Sequence, residues 1–439
     1  MQSDPQSLKA EPGARRVLAL STISFTLLFA VWLMFGVLGV PIKKELGLTQ
    51  VQFSWLAAIA ILSGSVWRLP FGMLTDRVGG RVLMTALLVT TAIPCLLIAH
   101  AHSYGALLAL ALWLGVAGNS FSVGVAWNAA WSTPERQGLA LGTFGAGNVG
   151  ASVTKLIGPA LIALVPATGL DLGLHVPGGW RFVPMLYAAL LLLCSVAVLL
   201  LTPAQDRKPG RGRSFASMMA PLAKARVWRF GLYYVIVFGA YVALSLWLPT
   251  YYQSVYHLPL SQAALLTAAF IFPASLLRPV GGWLSDRYGA RPVTTGVFIV
   301  MLLACAPLCL APSTGGGPIS LGACLFLIEI VGVSMGIGKA SVYKYISAYF
   351  PGDVGAVGGL VGSLGGLGGF FLPIGFAYVD RLSGHPESCF WLLLGLVAVS
   401  SVWLAAVVRR LKRAAPASTS TSTSTSTSTS TLGAELPAQ

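Results

Sequence analysis

Residues 68–81 read Arg68-Leu-Pro-Phe-Gly72-Met-Leu-Thr-Asp76-Arg77-Val-Gly-Gly-Arg81. Residues 278–291 repeat the pattern as Arg278-Pro-Val-Gly-Gly282-Trp-Leu-Ser-Asp286-Arg287-Tyr-Gly-Ala-Arg291. The first arginine, the glycine, the Asp-Arg pair and the closing arginine all recur at one offset of 210 residues. Arg68 and Arg278 each lie within an apolar run, Val51–Phe71 and Leu265–Trp283. A charge at membrane depth is costly and is seldom kept without a use. Two such charges at matching places predict a duplicated membrane architecture with something to bind at its centre.

The composition agrees. The chain has 439 residues, 56% hydrophobic and only 9% charged, whereas soluble domains carry about 25% charged residues. Apolar stretches of some 20 residues follow one another from 17–40 to 388–408, about twelve in all, without the period-two alternation of barrel strands. The fold class is therefore an all-α membrane protein with twelve transmembrane helices in two pseudo-symmetric six-helix bundles. The expected segments are an amino-terminal piece 1–16, a first bundle 17–202, a basic linker 203–226, a second bundle 227–413 and a tail 414–439. The tail carries a strict Ser/Thr alternation over Ser418–Thr431, which has no apolar face to bury and is expected to be disordered. The first apolar stretch is too long for a signal peptide and is read as a span.

Net charge is +15, which raises the question of nucleic acid. Where the charges fall decides against it. Of the 28 Lys and Arg, 19 lie in segments alternating to one side, and only Lys43, Lys44, Arg181 and Arg381 lie on the other. This is the positive-inside bias, and it places both termini in the cytoplasm of a multi-pass protein, here expected in a bacterial inner membrane. Membrane lipid is then the expected neighbour, and a monomer the expected state. The six cysteines form no C-x-x-C pair and read as small buried hydrophobes, so no metal and no disulfide is expected. No cofactor motif occurs.

Glycine-rich runs mark the fourth and fifth stretches, with Asn119 in Gly115-Val-Ala-Gly-Asn119 and Asn148 in Gly142-Thr-Phe-Gly145-Ala-Gly147-Asn148-Val-Gly150. Their counterparts carry Gly336-Ile-Gly338-Lys339-Ala-Ser-Val-Tyr-Lys344 and a run from Gly355 to Gly369. Aligning Pro134 with Pro351 also aligns Gly138 with Gly355, Gly142 with Gly359 and Gly145 with Gly362. Small residues at this density let helix backbones approach closely. Packing requires neither the asparagines nor the lysines.

Inside the spans stand five cations, Arg68, Lys155, Arg278, Lys339 and Lys344, against one carboxylate, Glu329. Such an excess calls for an anion, water or a deprotonated lysine. Arg68 and Arg278 each lie eight residues before an aspartate, about 12 Å of helix, hence near mid-membrane. Two guanidinium forks facing each other suit a small planar oxyanion. Glu329 reads as a counter-ion for a lysine or as a protonatable coupling group.

The Gly-x-x-x-Asp-Arg-x-Gly-x-Arg tract, present twice as Gly72, Asp76, Arg77, Arg81 and Gly282, Asp286, Arg287, Arg291, is similar to the cytoplasmic loop motif of the major facilitator superfamily. Its aspartates would cap a following helix or pair with the arginines, in a gating role. With the arginines and glycine signatures, the chain resembles the nitrate/nitrite porter family of that superfamily. The lysines of the second signature resemble the branch that imports nitrate with protons. The resemblance implies a nitrate-binding site of Arg68, Arg278 and Asn148 with Tyr241 and Phe144 as aromatic walls. Lys344, Lys339, Glu329 and Asn119 stand as coupling or pore-lining candidates. It implies proton-coupled nitrate import by alternating access, with nitrate/nitrite exchange or carriage of another small anion such as a monocarboxylate as alternatives. A nitrate sensor is a further rival. No nucleophile–base pair or metal cluster suggests an enzyme.

Overall fold

A computed structural model describes residues 12–166, 168–171 and 175–414. The Ser/Thr tract and most of the amino-terminal segment lie outside the described residues. The amino-terminal half begins with α1 (Pro12–Trp32), α2 (Phe35–Leu46), α3 (Gln50–Val66), α4 (Arg68–Val78) and α5 (Gly80–Ala99). It continues with α6 (Tyr104–Leu114), α7 (Ser120–Trp131), α8 (Gln137–Gly145), α9 (Gly150–Leu164) and α10 (Phe182–Leu201). After a short helix α11 (Phe215–Met219) come α12 (Ala225–Tyr234), α13 (Ala240–Tyr256), α14 (Leu260–Leu276) and α15 (Arg278–Tyr288). The last four are α16 (Ala290–Leu308), α17 (Leu321–Tyr349), α18 (Val354–Ser383) and α19 (Ser388–Ala414).

Among the described residues, eleven helices are long and apolar enough to cross a membrane. The pair Trp55–Val66 and Arg68–Val78, bent by 43°, brings the number to twelve. Among the described residues, strand structure is a two-residue pairing of Leu170–Asp171 with His175–Val176 and an isolated bridge between Pro312 and Ile319. The described residues up to Ser401 form one compact unit, and the end of α19 from Val402 falls in a second.

The helices break where the sequence supplies a reason. Pro70 and Pro279 have no N–H to give to the preceding turn, and the chain accordingly breaks at Trp67 and Leu277, so that Arg68 and Arg278 become the first residues of α4 and α15. Glycine-rich 3-10 turns interrupt two other spans at Gly115–Asn119 and Ala146–Val149, and a π turn, Val235–Gly239, joins α12 to α13. Such irregular turns recur at functional sites because they re-aim side chains that a regular helix would fix.

The first span begins at Pro12 and breaks after Trp32, rather than running unbroken over 17–40. Order also extends into the linker, through α11 and a 3-10 turn over Ala220–Ala223. Asp206 accepts from the indole N–H groups of Trp127 (3.0 Å) and Trp131 (2.8 Å) and from the backbone of Arg81 (2.9 Å). Further on, the Gly210 amide donates to the Asp76 carbonyl at 2.9 Å, and Arg213 pairs with Asp353 at 2.7 Å. Met218, fully buried, packs with Met73 of α4 and Ala356 of α18. The linker thus crosses the same end of the bundle where α4 meets α18.

That end is closed by the repeated loop tracts, in a way the sequence reading misassigned. Asp76 and Asp286 do not cap a following helix. Asp76 accepts from the Gly355 amide (3.0 Å), at the start of α18 in the opposite half. Asp286 accepts from Gly138 (2.9 Å) and Leu139 (2.7 Å), at the start of α8. Each carboxylate therefore satisfies orphan N–H groups at a helix N-terminus and complements its dipole. Lys344 pairs with Asp286 at 2.6 Å and donates to the Pro134 carbonyl at 2.5 Å. The closing arginines point elsewhere: Arg81 donates to Leu199 and Ala204 carbonyls, Arg77 lies over Phe215, Arg287 over Trp283 and Tyr288, and Arg291 donates to the Tyr349 hydroxyl.

Candidate anion site between the halves

Arg68 and Arg278 come from opposite halves, and both are fully buried. Their guanidiniums lie 5.6 and 5.2 Å from the centre of one ring, that of Phe121 on α7. Arg68 is held by two backbone carbonyls, donating from Nε to Gly64 (3.0 Å) and from Nη1 to Gly362 (2.9 Å). The rings of Trp32 and Phe238 each stand 5.4 Å from it. Arg278 is less engaged. Among the described residues, its Nε and Nη1 find no hydrogen-bond partner, nor does Nη2 of Arg68. The same holds for both amide atoms of Asn148.

Buried polar groups are nearly always paired, and leaving one unpaired costs roughly 1–3 kcal/mol, more for a charged group. Unpaired donors concentrated on two guanidiniums and an amide are what a site for a hydrogen-bonding anion looks like. The walls are aromatic. Phe121 lies parallel to Phe238 (6.3 Å, 5°) and to Tyr234 (6.1 Å, 12°), while Tyr234 and Phe238, one helical turn apart across the π turn, stack at 5.0 Å. Tyr343 closes one edge, T-shaped to both Phe121 and Tyr234, and donates its hydroxyl to Gly358 at 3.0 Å.

Glycine sets how close the halves come. A Cβ at Gly145 would collide with the guanidinium carbon of Arg278, and one at Gly359 would stand 2.7 Å from the Arg68 carbonyl oxygen. At the closed end, a Cβ at Gly138 would lie 2.6 Å from the Gly282 carbonyl, and one at Gly355 would strike the carbonyl of Gly72. The 138/142/145 face of α8 therefore meets α15, and the 355/359/362 face of α18 meets α4. These are the glycines that align between the two halves of the sequence.

The expected residues divide. Arg68 and Arg278 meet over Phe121, while Asn148 is buried in the 3-10 turn that follows Gly145, the glycine lying against the Arg278 guanidinium. Phe144 is one layer back, packed on Phe25 (4.8 Å) and behind Phe121 (5.9 Å). Tyr241 carries Lys339 on its ring at 3.1 Å and shares a hydrogen bond with Ser275 at 2.9 Å. Lys339 also donates to the Ala274 carbonyl (2.9 Å), one turn before Arg278, so this lysine adjoins the arginine. Asn119 is buried, bound through Nδ2 to the Val116 carbonyl with Oδ1 unpaired. Lys344 belongs to the closed end rather than the pore. Glu329 is half-buried and forms no ion pair among the described residues. It is ten residues from Lys339, about 15 Å of helix, so it is not that lysine's counter-ion. Phe121, Tyr234, Phe238 and Tyr343 escaped the sequence reading.

Comparison of the whole chain with known proteins points to one family. A model of the Major Facilitator Superfamily matches residues 20–373. The chain is 58% identical over 424 residues, 94% of its length and 96% of the relative's, to a probable nitrate/nitrite antiporter NarK1 of Thermus thermophilus. It is 30% identical to the nitrite extrusion protein of Bacillus subtilis (strain 168), covering 89% of this chain and 92% of that one. In fold it is similar to the transporter FucP in the outward conformation, with TM-score 0.68 and 18% identity over 88% of this chain and 97% of that one. The human organic anion transporter MFSD10 gives TM-score 0.70 at 18% identity, over 90% of this chain and all of that one. On these grounds, the chain belongs to the nitrate/nitrite porter family of the major facilitator superfamily.

Proposed function

We propose that this protein carries nitrate inward and nitrite outward by alternating access, one anion per half-cycle, across a bacterial inner membrane with both termini cytoplasmic. The observation that carries the reading is the pair of guanidiniums, one from each half, on a single aromatic ring with donor groups left over. Guanidinium forks match planar oxyanions in geometry, and flat aromatic walls suit a flat ion. Two like charges facing each other in a low-dielectric site repel strongly. A small anion between them offsets that repulsion and lets the halves close. The carrier without an anion then has no low-energy way to cross over, which couples inward to outward movement as exchange. The name of the 58% identical relative supports the same choice.

A second reading, proton-coupled nitrate import, is favoured by one observation, the buried Lys339 against Tyr241 beside Arg278. It is an ionisable group that could release its proton on each cycle. Importing one anion against an inside-negative potential costs about 2.3 kcal/mol per 100 mV; two protons would offset this, whereas exchange for nitrite is electroneutral.

The test is uptake of labelled nitrate into liposomes holding the purified protein, with internal nitrite and a proton gradient imposed separately. Exchange predicts uptake that requires internal nitrite and ignores the proton gradient. Uptake driven by the gradient with no internal anion would transfer the assignment to symport.

A further inference from the structure

The glycines of α8 that meet the opposite half are Gly138, Gly142 and Gly145. Counted on at the same three-and-four spacing, the next positions are Asn148 in the 3-10 turn Ala146–Val149 and Ser152 and Lys155 on α9. Asn148 is wholly buried and Ser152 is 1% exposed, and among the described residues neither side chain has a hydrogen-bond partner. Lys155 is half-buried and has no carboxylate among the ion pairs of the described residues. The neighbouring Thr154 faces the other way, sharing a hydrogen bond with Tyr187 at 2.6 Å inside its own half. The stripe has no counterpart in the repeat: the aligned positions of the second half are Gly365, Gly369 and Leu372. Packing between the halves therefore does not demand these polar groups.

We propose that Lys155, with the Ser152 hydroxyl, forms a second subsite for a small oxyanion, seven residues or about 10 Å of helix beyond Asn148 toward the end away from the closed gate. The proposal rests on the reading that an anion is bound between Arg68 and Arg278. The subsite gathers anions at the mouth and hands them to the arginines past Ser152 and Asn148, one hydrogen-bonding group per turn. A fixed cation in a narrow, low-dielectric mouth raises the local concentration of its counter-ion. Charge in the path also lets an arriving anion ease the departure of the one ahead, as in multi-site pores.

The experiment is initial-rate nitrate uptake by the full-length protein in liposomes, for wild type, Lys155→Gln and Lys155→Arg, at low and high ionic strength. Lys155→Gln is expected to raise KM roughly ten-fold while kcat changes less than about two-fold, and to flatten the dependence of KM on salt. Lys155→Arg is expected to keep both KM and the salt response. A Lys155→Gln protein with wild-type KM and salt response would overturn the subsite while leaving the arginine site standing. Equal damage from Lys155→Arg and Lys155→Gln would overturn it too, by making the role one of packing. Wild-type liposomes that move no nitrate would overturn both readings. Should Lys155→Gln lose thermal stability in detergent, Ser152→Ala gives the same KM test with a smaller change.

Discussion

Arg68 donates through Nη1 to the carbonyl oxygen of Gly362, 294 residues away in the opposite half, at 2.9 Å. The bond spans the two bundles, so it belongs to the state closed at the gate end and must break when that end opens. Arg68 is thus a tie between the halves as well as a proposed ligand group.

Replacing Arg68 by lysine tests that double role. Lysine keeps the charge but gathers its donors on one nitrogen, whereas Arg68 reaches Gly64 and Gly362 with two separate atoms, Nε and Nη1, and keeps Nη2 free for an anion. Each hydrogen bond to a charged group is worth about 1.5–3 kcal/mol, so Arg68→Lys should lower nitrate uptake by roughly a hundred-fold or more. Arg278→Lys should do the same through loss of the planar fork. Uptake within a few-fold of wild type for either variant would remove the clamp from the mechanism.

Gly145→Ala should be as damaging, for a steric reason. The new methyl would occupy the position of the Arg278 guanidinium and force it out of line. Transport should be lost while the protein remains folded in detergent. Gly36→Ala, where nothing lies within 4 Å of an added Cβ, is the matched control and should transport normally. Active Gly145→Ala protein would show that the close approach is dispensable.

Lys344, which the sequence suggested as a coupling residue, should behave as a gate residue. Lys344→Gln removes the partner of Asp286 and the tie to Pro134. Cysteines placed near Ser347 should then react faster with a water-soluble thiol reagent applied from the gate side. The response of uptake to an imposed proton gradient should match wild type. A changed proton response with unchanged labelling would restore the coupling role.

What the sequence revealed follows from which physical signals survive in one dimension. The arginine pair was legible because a buried charge is rare, and the glycines because they recur at one fixed offset between the halves. Phe121, Tyr234 and Phe238 were not legible, because the chain carries 20 Phe and 13 Tyr and most simply pack. Tyr234, just before the π turn at Val235–Gly239, and Phe238, within it, both lie parallel to Phe121, and no residue pattern announces such a turn. Lys344 was misplaced because α17 has 29 residues, more than the roughly 20 that span a bilayer, so its last turns reach the gate. The cross-half capping by Asp76 and Asp286 was hidden because each partner lies more than a hundred residues away.

The linker offers a separate test. Met218 sits between Met73 and Ala356, and Arg213 pairs with Asp353 just before α18. Both contacts should favour closure of the gate. Arg213→Glu should raise thiol labelling at the gate, and adding Asp353→Arg should restore it toward wild type. An ion pair of this partly exposed kind contributes only about 0–1 kcal/mol, so the shift should be a few-fold at most. Lack of rescue by the double variant would show that the pair is incidental.

A pH test applies at the opposite end of the amino-terminal half, where Glu45 meets α10. Its carboxylate accepts from the Trp180 indole (2.6 Å) and pairs with Arg181 (2.7 Å). Partial burial pushes its pKa up, but the bonds from Trp180 and Arg181 together outweigh that, and the value falls below the usual 4.5. A carboxylate with a depressed folded-state pKa stabilises the fold fully above its unfolded value and loses that contribution as pH falls through the folded one. The pair should therefore act at neutral pH and fade below 4.5. Melting curves in detergent between about pH 6 and pH 3 should fall more steeply for wild type than for Glu45→Gln, the two converging at the acid end. Parallel curves would mean that Arg181 is held by the Ala101 carbonyl, to which it donates at 3.1 Å, and by stacking on Trp180 rather than by the carboxylate.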